Sequence, residues 1–251
     1  MNERMIVGTG TLESEWQAWP GLGQLQQTTM LELVPHSART VIISPHPDDE
    51  VLATGGLLAM LAGDARETCV LAVTDGEASH PGSAQWPGHL LTRQRRGESL
   101  AGLELLGLLP GSRTTLGLPD GQVQAHREDI VAWLGDFLRP DDVVISTWEL
   151  DGHPDHEASA QATAKACART GARHIQVPVW MWHWASPGDT RVPWRRMVRL
   201  CLPTDATDRK KLAIAAHRTQ LEPQDSGRAP VLGSVVLARM LRPFEVFILP
   251  E

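Results

Sequence analysis

The chain has no tyrosine, only three cysteines, and more negative than positive charge, a formal −7 over 251 residues. Each shortage excludes something. Cys69, Cys167 and Cys201 lie far apart, with no CxxC pair and no even count. That excludes a disulfide framework and a zinc knuckle, and it fits a reducing compartment. The acidic balance argues against a nucleic-acid surface, which presents a basic face. Arg93, Arg95 and Arg96, and the arginines of 191–199, form only short clusters mixed with apolar residues. No run approaches the roughly 20 apolar residues that span a bilayer. Residues 1–10 carry Glu3 and Arg4 in place of the apolar core of a secretory signal. A cytoplasmic location is the expectation. Without tyrosine, no phenol can serve any site.

What is present reads as one soluble α/β domain. Residues 1–38 form a polar, glycine-containing lead-in with a short helix near 13–19. From 39 to 251, apolar strands alternate with helices. Strands are expected at 41–44, 68–74, 113–116, 142–147, 175–184, 198–202 and 244–249. Helices are expected at 50–62, 91–108, 126–138, 156–170 and 208–219, with Leu100, Leu103 and Leu106 on one face of the second. Such alternation predicts a three-layer αβα, Rossmann-like fold with a mostly parallel sheet. Ligands of these sheets collect beyond the carboxyl ends of the strands.

Those ends are where the polar residues gather. The first strand runs into His46-Pro47-Asp48-Asp49-Glu50, the second into Asp75-Gly76-Glu77, and the third into Gly117-Leu118-Pro119-Asp120-Gly121. About a hundred residues after the first cluster, the strand 142–147 leads to Asp151-Gly152-His153-Pro154-Asp155-His156. Alone, either His-Pro-Asp segment reads as a helix entry, with Asp48, Asp49 or Asp155 as the cap. Two of them on one rim of one sheet point instead to a metal centre. Imidazole and carboxylate suit a borderline ion such as zinc, and three protein ligands leave an open catalytic position. His46 and Asp49 can both turn inward across the strand-to-helix corner, and His156 can supply a third ligand. Glu50 reads as no more than the first turn of the helix.

Taken together, HPDDE, TDGE, Arg95-x-x-Glu98, GLPDG and HPDHEA resemble the PIG-L/LmbE family of zinc-dependent N-acetylglucosaminyl deacetylases. The likeness covers about residues 40–220 and includes Ala216-His217-Arg218-Thr219-Gln220, similar to the family's H-x-S/T-Q. It implies a zinc site at His46, Asp49 and His156, with Asp48 as general base towards a metal-activated water. It implies that a protonated His153 stabilises the reacting carbonyl, and that Arg95 and Asp120 lie near the sugar. The expected partner is a small-molecule amino sugar or glycoconjugate. Ligation by two histidines and an aspartate also admits Fe2+ or another divalent ion. A homo-oligomer is compatible with the chain.

One departure stands out. In the mycothiol branch of that family a tyrosine helps hold the oxyanion two residues before the first His of HPDH, and here that position is Asp151. A hydratase or lyase on the same scaffold, and a non-catalytic metal-stabilised carbohydrate binder, remain as alternatives. Asp48 speaks against the binder, since a structural metal needs no spare carboxylate beside it.

Other residues carry weaker signals. Trp180, Trp182 and Trp184 recur at alternate positions of the expected strand 175–184, either as a stacking wall for a sugar or as a packed sheet face. His183, on the opposite face, reads as structural. His80 and His89 read as loop histidines, and His217 as a helix residue lifted by the family match.

Overall fold

The computed structural model describes residues 4–225 and 227–251. Eight strands form one sheet: β1 (Gln26–Thr28), β2 (Thr40–Ser44), β3 (Thr68–Thr74), β4 (Arg113–Leu118), β5 (Val143–Thr147), β6 (Arg173–Val177), β7 (Met197–Cys201) and β8 (Phe244–Ile248). Their order is β1-β7-β8-β6-β5-β2-β3-β4. All pairings are parallel except those of β8, which runs antiparallel to β6 and β7. The central strands β2 and β5 are buried along their whole length. Their runs of Val, Ile and Thr suit strands covered on both faces.

Three short helices lie in the lead-in: α1 (Glu13–Ala18), α2 (Pro20–Gln24) and α3 (Met30–Leu33). The larger ones are α4 (Asp49–Gly63), α5 (Gly88–Leu106), α6 (Arg127–Phe137), α7 (Pro154–Thr170) and α9 (Thr204–Ala215). The short α8 (Met181–Trp184), α10 (Arg218–Leu221) and α11 (Ser234–Met240) complete the set. Alternation along β2 divides the core. Ile42 faces the layer holding Leu57 of α4, Leu103 of α5 and Ala213 of α9. Val41 and Ile43 face Ile130 of α6 and Ala162 of α7. No helix among the described residues is long and apolar enough to cross a membrane.

Topology fixes where ligands can sit. From β2 the chain winds outward through β3 to β4, then crosses back to lay β5 on the other side of β2. The gap beyond the carboxyl ends of β2 and β5 is therefore the switch point of the sheet. HPDD leaves β2 there, and HPDH follows β5.

Several expected elements differ. Residues 175–184 are not one strand: β6 stops at Val177, Pro178 follows, and α8 begins at Met181. The buried carboxylate of Asp151 takes the N–H groups of Val179, Trp180 and Met181, which removes them from any ladder. The three tryptophans consequently share no face. Trp182 packs edge-on to Trp16 in the core, and Trp184 stacks on Trp148. Leu100 is exposed, while Leu91 joins Leu103 and Leu106 inside. The helix expected at 208–219 runs from Thr204 to Ala215, leaving His217 in a turn before α10. A 3-10 turn (Val123–His126) precedes α6. The lead-in contributes β1, paired with β7, and the fully buried Trp16.

Candidate functional site

Three donor atoms from two segments converge at the switch point. Asp49 Oδ2 lies 3.2 Å from His46 Nδ1 and 3.1 Å from His156 Nε2. The two nitrogens are 3.3 Å apart. For tetrahedral ligands about 2.0–2.1 Å from a zinc-sized ion, the donor–donor edge is about 3.3 Å. The triangle therefore has the dimensions of one face of such a coordination shell, and these donors suit a divalent ion. Each imidazole turns its other nitrogen to a carboxylate. His156 Nδ1 is 2.8 Å from Asp151 Oδ2. His46 Nε2 is 3.2 Å from Asp120 Oδ1 and 3.3 Å from Asp155 Oδ2. Carboxylates behind ligating histidines fix ring orientation and tautomer in metal sites.

Two further groupings are also close enough to hold an ion among the described residues: His46 with His153 and His156, which shares both histidines of the triangle, and His46 with Asp120 and Asp155 on the other side of the ring. Asp155 is committed elsewhere, however, accepting the N–H of Gly121 at 2.7 Å and of Val123 at 3.2 Å. Asp120 accepts the N–H of Ala78 at 2.9 Å. Asp49 Oδ2 likewise accepts a backbone N–H, that of His46 at 3.0 Å; what distinguishes Asp120 and Asp155 is their place at the His46 nitrogen turned away from Asp49 and His156, the position of supporting carboxylates.

Charge follows the same logic. Burial works against a protonated His46, yet hydrogen bonds to Asp120, Asp155 and Asp49 raise its pKa well above the usual value. His156 reaches about 9 against its own burial, driven by the charge of Asp49 and the bond to Asp151. Burial also opposes ionised Asp49, but His156 and His46 hold it well below the usual carboxylate range. Such a cluster attracts positive charge, whether proton or metal cation.

Asp48 stands apart from the triangle. Its backbone adopts φ 153°, a conformation that L-residues rarely take. The corner is held from three directions. Arg95 Nη2 donates to Asp48 Oδ2 at 3.1 Å and to Pro47 O at 3.0 Å, while Nη1 donates to Gly76 O at 2.9 Å. Asp48 N–H donates to Glu50 Oε2 at 3.0 Å. Glu50 is itself buried, 2.7 Å from the Ser44 hydroxyl and 2.5 Å from that of Ser99. It is thus more than a first-turn residue, because it braces the strained corner. Burial pushes the Asp48 carboxyl up to about 7; Arg95 opposes the rise and Asp49 adds to it.

Neither segment is merely a cap. The Asp48 side chain makes no capping bond to α4. At α7 the cap is His153, whose Nδ1 accepts the N–H of Asp155 at 3.3 Å. An Nδ1 that accepts cannot carry a proton, so Nε2 carries it and remains free to donate. Burial, followed by the charges of His156 and His46, lowers His153 to about 3.

A cavity of about 320 Å3 opens onto these groups. His46, Asp48, Asp49, Arg95, Asp120 and His153 line its polar side, and Leu52, Trp180, Val231 and Leu232 its apolar side. The structure thus brings six of the seven expected site residues to the cavity, with His156 buried behind it. Arg95 borders the cavity; three of its four Nη hydrogens go to Asp48, Pro47 and Gly76, and its buried Nε has no partner. Asp120, lowered to about 2 against its burial by His46, faces the same space. His217 is fully buried in its turn, where Gly102 leaves room for the ring. Sequence reasoning misses Asp151 and Glu50 as contributors, although each has a near partner, His156 for Asp151 and Ser44 for Glu50; their contacts to Val179, Trp180 and Met181 and to Ser99 come from distant segments.

A family model described as GlcNAc-PI de-N-acetylase (PIG-L) matches residues 41–167, half of the chain. A 1D-myo-inositol 2-acetamido-2-deoxy-alpha-D-glucopyranoside deacetylase of Mycobacterium sp. (strain JLS) is 26% identical over 255 residues, covering 82% of this chain and 80% of its own. Among solved structures, a conserved protein of Thermus thermophilus aligns with TM-score 0.60 and 22% identity, over 85% of this chain and 95% of the other. The A40926 pseudoaglycone deacetylase aligns with TM-score 0.58 and 25% identity, over 73% and 83%. A 4-carboxy-2-hydroxymuconate hydratase of Pseudomonas putida KT2440 shares the fold at TM-score 0.53 and 22% identity, over 71% and 78%. The fold alone therefore does not choose between hydrolysis and hydration.

Proposed function

The chain belongs to the PIG-L family of GlcNAc-PI de-N-acetylases, and on that premise we propose that it is a zinc-dependent N-deacetylase acting on an N-acetylated amino sugar or glycoconjugate. His46, Asp49 and His156 are the proposed ligands. Bound there, zinc supplies Lewis acidity, polarising a carbonyl and acidifying water.

The remaining work belongs to the chain's own residues. Asp48 accepts a proton from water as the water adds to the amide carbon, then passes it to the nitrogen as the C–N bond breaks. The products are the free amine and acetate. His153 donates from Nε2 to the developing oxyanion. Arg95 holds Asp48 in its strained position. Asp120 keeps His46 oriented and presents a carboxylate edge to the sugar.

The observation that carries this reading is Asp48 itself: a buried carboxylate that lines the cavity beside the donor triangle, outside it, and is held in place by Arg95. A hydratase needs a comparable base, so the decisive assay is chemical. The zinc-loaded protein should release acetate from N-acetylglucosamine glycosides. Hydration of an unsaturated acid, with no acyl group released from any amide, would overturn the assignment.

A further inference from the structure

A second, much smaller cavity of about 20 Å3 lies where α4, α8, α9, α11 and β8 meet. Lys210, Arg239, Arg242 and Glu245 line it, with Leu52 and Trp182 among its apolar walls, and all four charged side chains are buried. Two of the three cations have carboxylates of their own. Lys210 Nζ lies 2.7 Å from Glu245 Oε1, and Arg242 binds Glu13 through Nε at 3.0 Å and Nη2 at 2.6 Å. Arg239 makes no ion pair among the described residues. Its Nη1 donates to the carbonyls of Thr9 and Thr11, and its Nη2 to His183 Nδ1 at 3.1 Å, all neutral acceptors. Burial, then the charge of Arg242, lowers Arg239 to about 10, which leaves it charged at neutral pH. A buried charge without an opposite one is costly, and the group as a whole holds three cations against the carboxylates of Glu13 and Glu245.

We infer that this cavity binds one monatomic anion of the chloride class, which supplies the missing negative charge. Size selects the class: a space of this volume admits about one water-sized occupant and has no room for acetate or phosphate. Donors remain for it. Lys210 Nζ gives one of its three hydrogens to Glu245, while Arg242 Nη1 takes no bond among the described residues and keeps accessible surface. The Glu245 carboxylate does not stand in the way, since both its oxygens are engaged by Lys210 and by the N–H groups of Gly56 and Leu57. A water molecule could accept from the same donors but would leave the charge unbalanced. The site is separate from the metal centre and does not depend on the reaction proposed above.

The test measures the melting temperature of the wild-type protein in sodium chloride, sodium bromide and sodium gluconate at equal ionic strength. Either halide should raise it with the logarithm of concentration, by roughly 3–6 °C for each tenfold above the dissociation constant. Gluconate, too large for the cavity, should not. Crystals grown in sodium bromide should show an anomalous peak in the cavity, against Lys210 and Arg242. Arg239→Met removes the unpaired charge and should melt at the same temperature in halide and in gluconate. Equal melting of wild type in all three salts, water alone in the cavity of the bromide crystals, or a halide response that Arg239→Met retains would each overturn the inference. Arg239 also holds Thr9 and Thr11, so the variant could fold poorly. The two wild-type measurements then decide: halide-dependent melting together with the bromide peak supports the site, and the failure of either overturns it.

Discussion

Asp151 holds His156 by a 2.8 Å contact between Oδ2 and Nδ1, and both side chains are fully buried. The same carboxylate gathers the N–H groups of Val179, Trp180 and Met181. One side chain thus orients a proposed metal ligand and sets the segment that brings Trp180 to the cavity wall. Where the mycothiol branch has a tyrosine, this chain has a brace. Asp151→Asn should weaken zinc binding roughly 10–100-fold, the usual cost of losing a carboxylate behind a ligating histidine. Competition with a chromophoric chelator measures it.

Arg95 Nη2 donates to Pro47 O and Asp48 Oδ2 and Nη1 to Gly76 O, tying the loop that carries Asp48 to the turn after β3. Arg95→Lys cannot reach all three acceptors. A displaced base should lower kcat roughly 100-fold while metal content stays at the wild-type level. Steady-state kinetics alongside metal analysis would reveal a different role if only KM rose, as expected of a residue that binds sugar directly.

The ion pair of Lys210 and Glu245 is buried, with Nζ and Oε1 2.7 Å apart. Glu245 also accepts the N–H groups of Gly56 and Leu57, fastening β8 to the middle of α4. Lys210→Met leaves a buried carboxylate without its cation and should cost about 3–5 kcal/mol of folding stability. Urea denaturation provides the number, and a loss under about 1 kcal/mol, the range of an exposed pair, would contradict this account of the contact.

His174 gives the fold an acid-sensitive point away from the cavity. Burial lowers its pKa to about 4, and its Nε2 lies 2.8 Å from Ser146 Oγ. A histidine depressed in the folded state binds fewer protons there than in the unfolded chain. Its contribution is therefore intact above about pH 6.5 and is lost as pH falls towards 4. At pH 5 the penalty is about 2 kcal/mol. In His174→Gln the stability difference between pH 7 and pH 5 should shrink by about that amount, which paired denaturation curves at the two pH values would resolve.

Sequence is most legible where local pattern and topology coincide. Strands β2 and β5 declare themselves by short Val/Ile runs, and a His-Pro-Asp cluster directly after each can be placed at the sheet's crevice without coordinates. Asp151 and Glu50 are not marked there as supports, because the contacts that complete their roles, to Val179, Trp180 and Met181 and to Ser99, come from other segments. The tryptophans of 180–184 mislead for a related reason. Their period-two spacing imitates a strand, while Pro178 and the distant Asp151 carboxylate impose a turn. The strand β1, Gln26–Thr28, is short and polar, and only the edge of β7 gives it a reason to extend. Asp155 could be a cap or a partner of histidine by sequence; its contacts with His46, Gly121 and Val123 make it a partner.

The central claim is that one divalent ion is held by His46, Asp49 and His156, with Asp48 free beside it and Asp120 behind His46. Zinc stoichiometry by elemental analysis of wild type and four variants tests it most directly. About one ion per chain is predicted for wild type, Asp48→Asn and Asp120→Asn, and a near-complete loss for Asp49→Asn and His156→Ala. Full zinc in His156→Ala, or loss in Asp120→Asn with retention in Asp49→Asn, would place the ion on the other side of His46 and contradict the account.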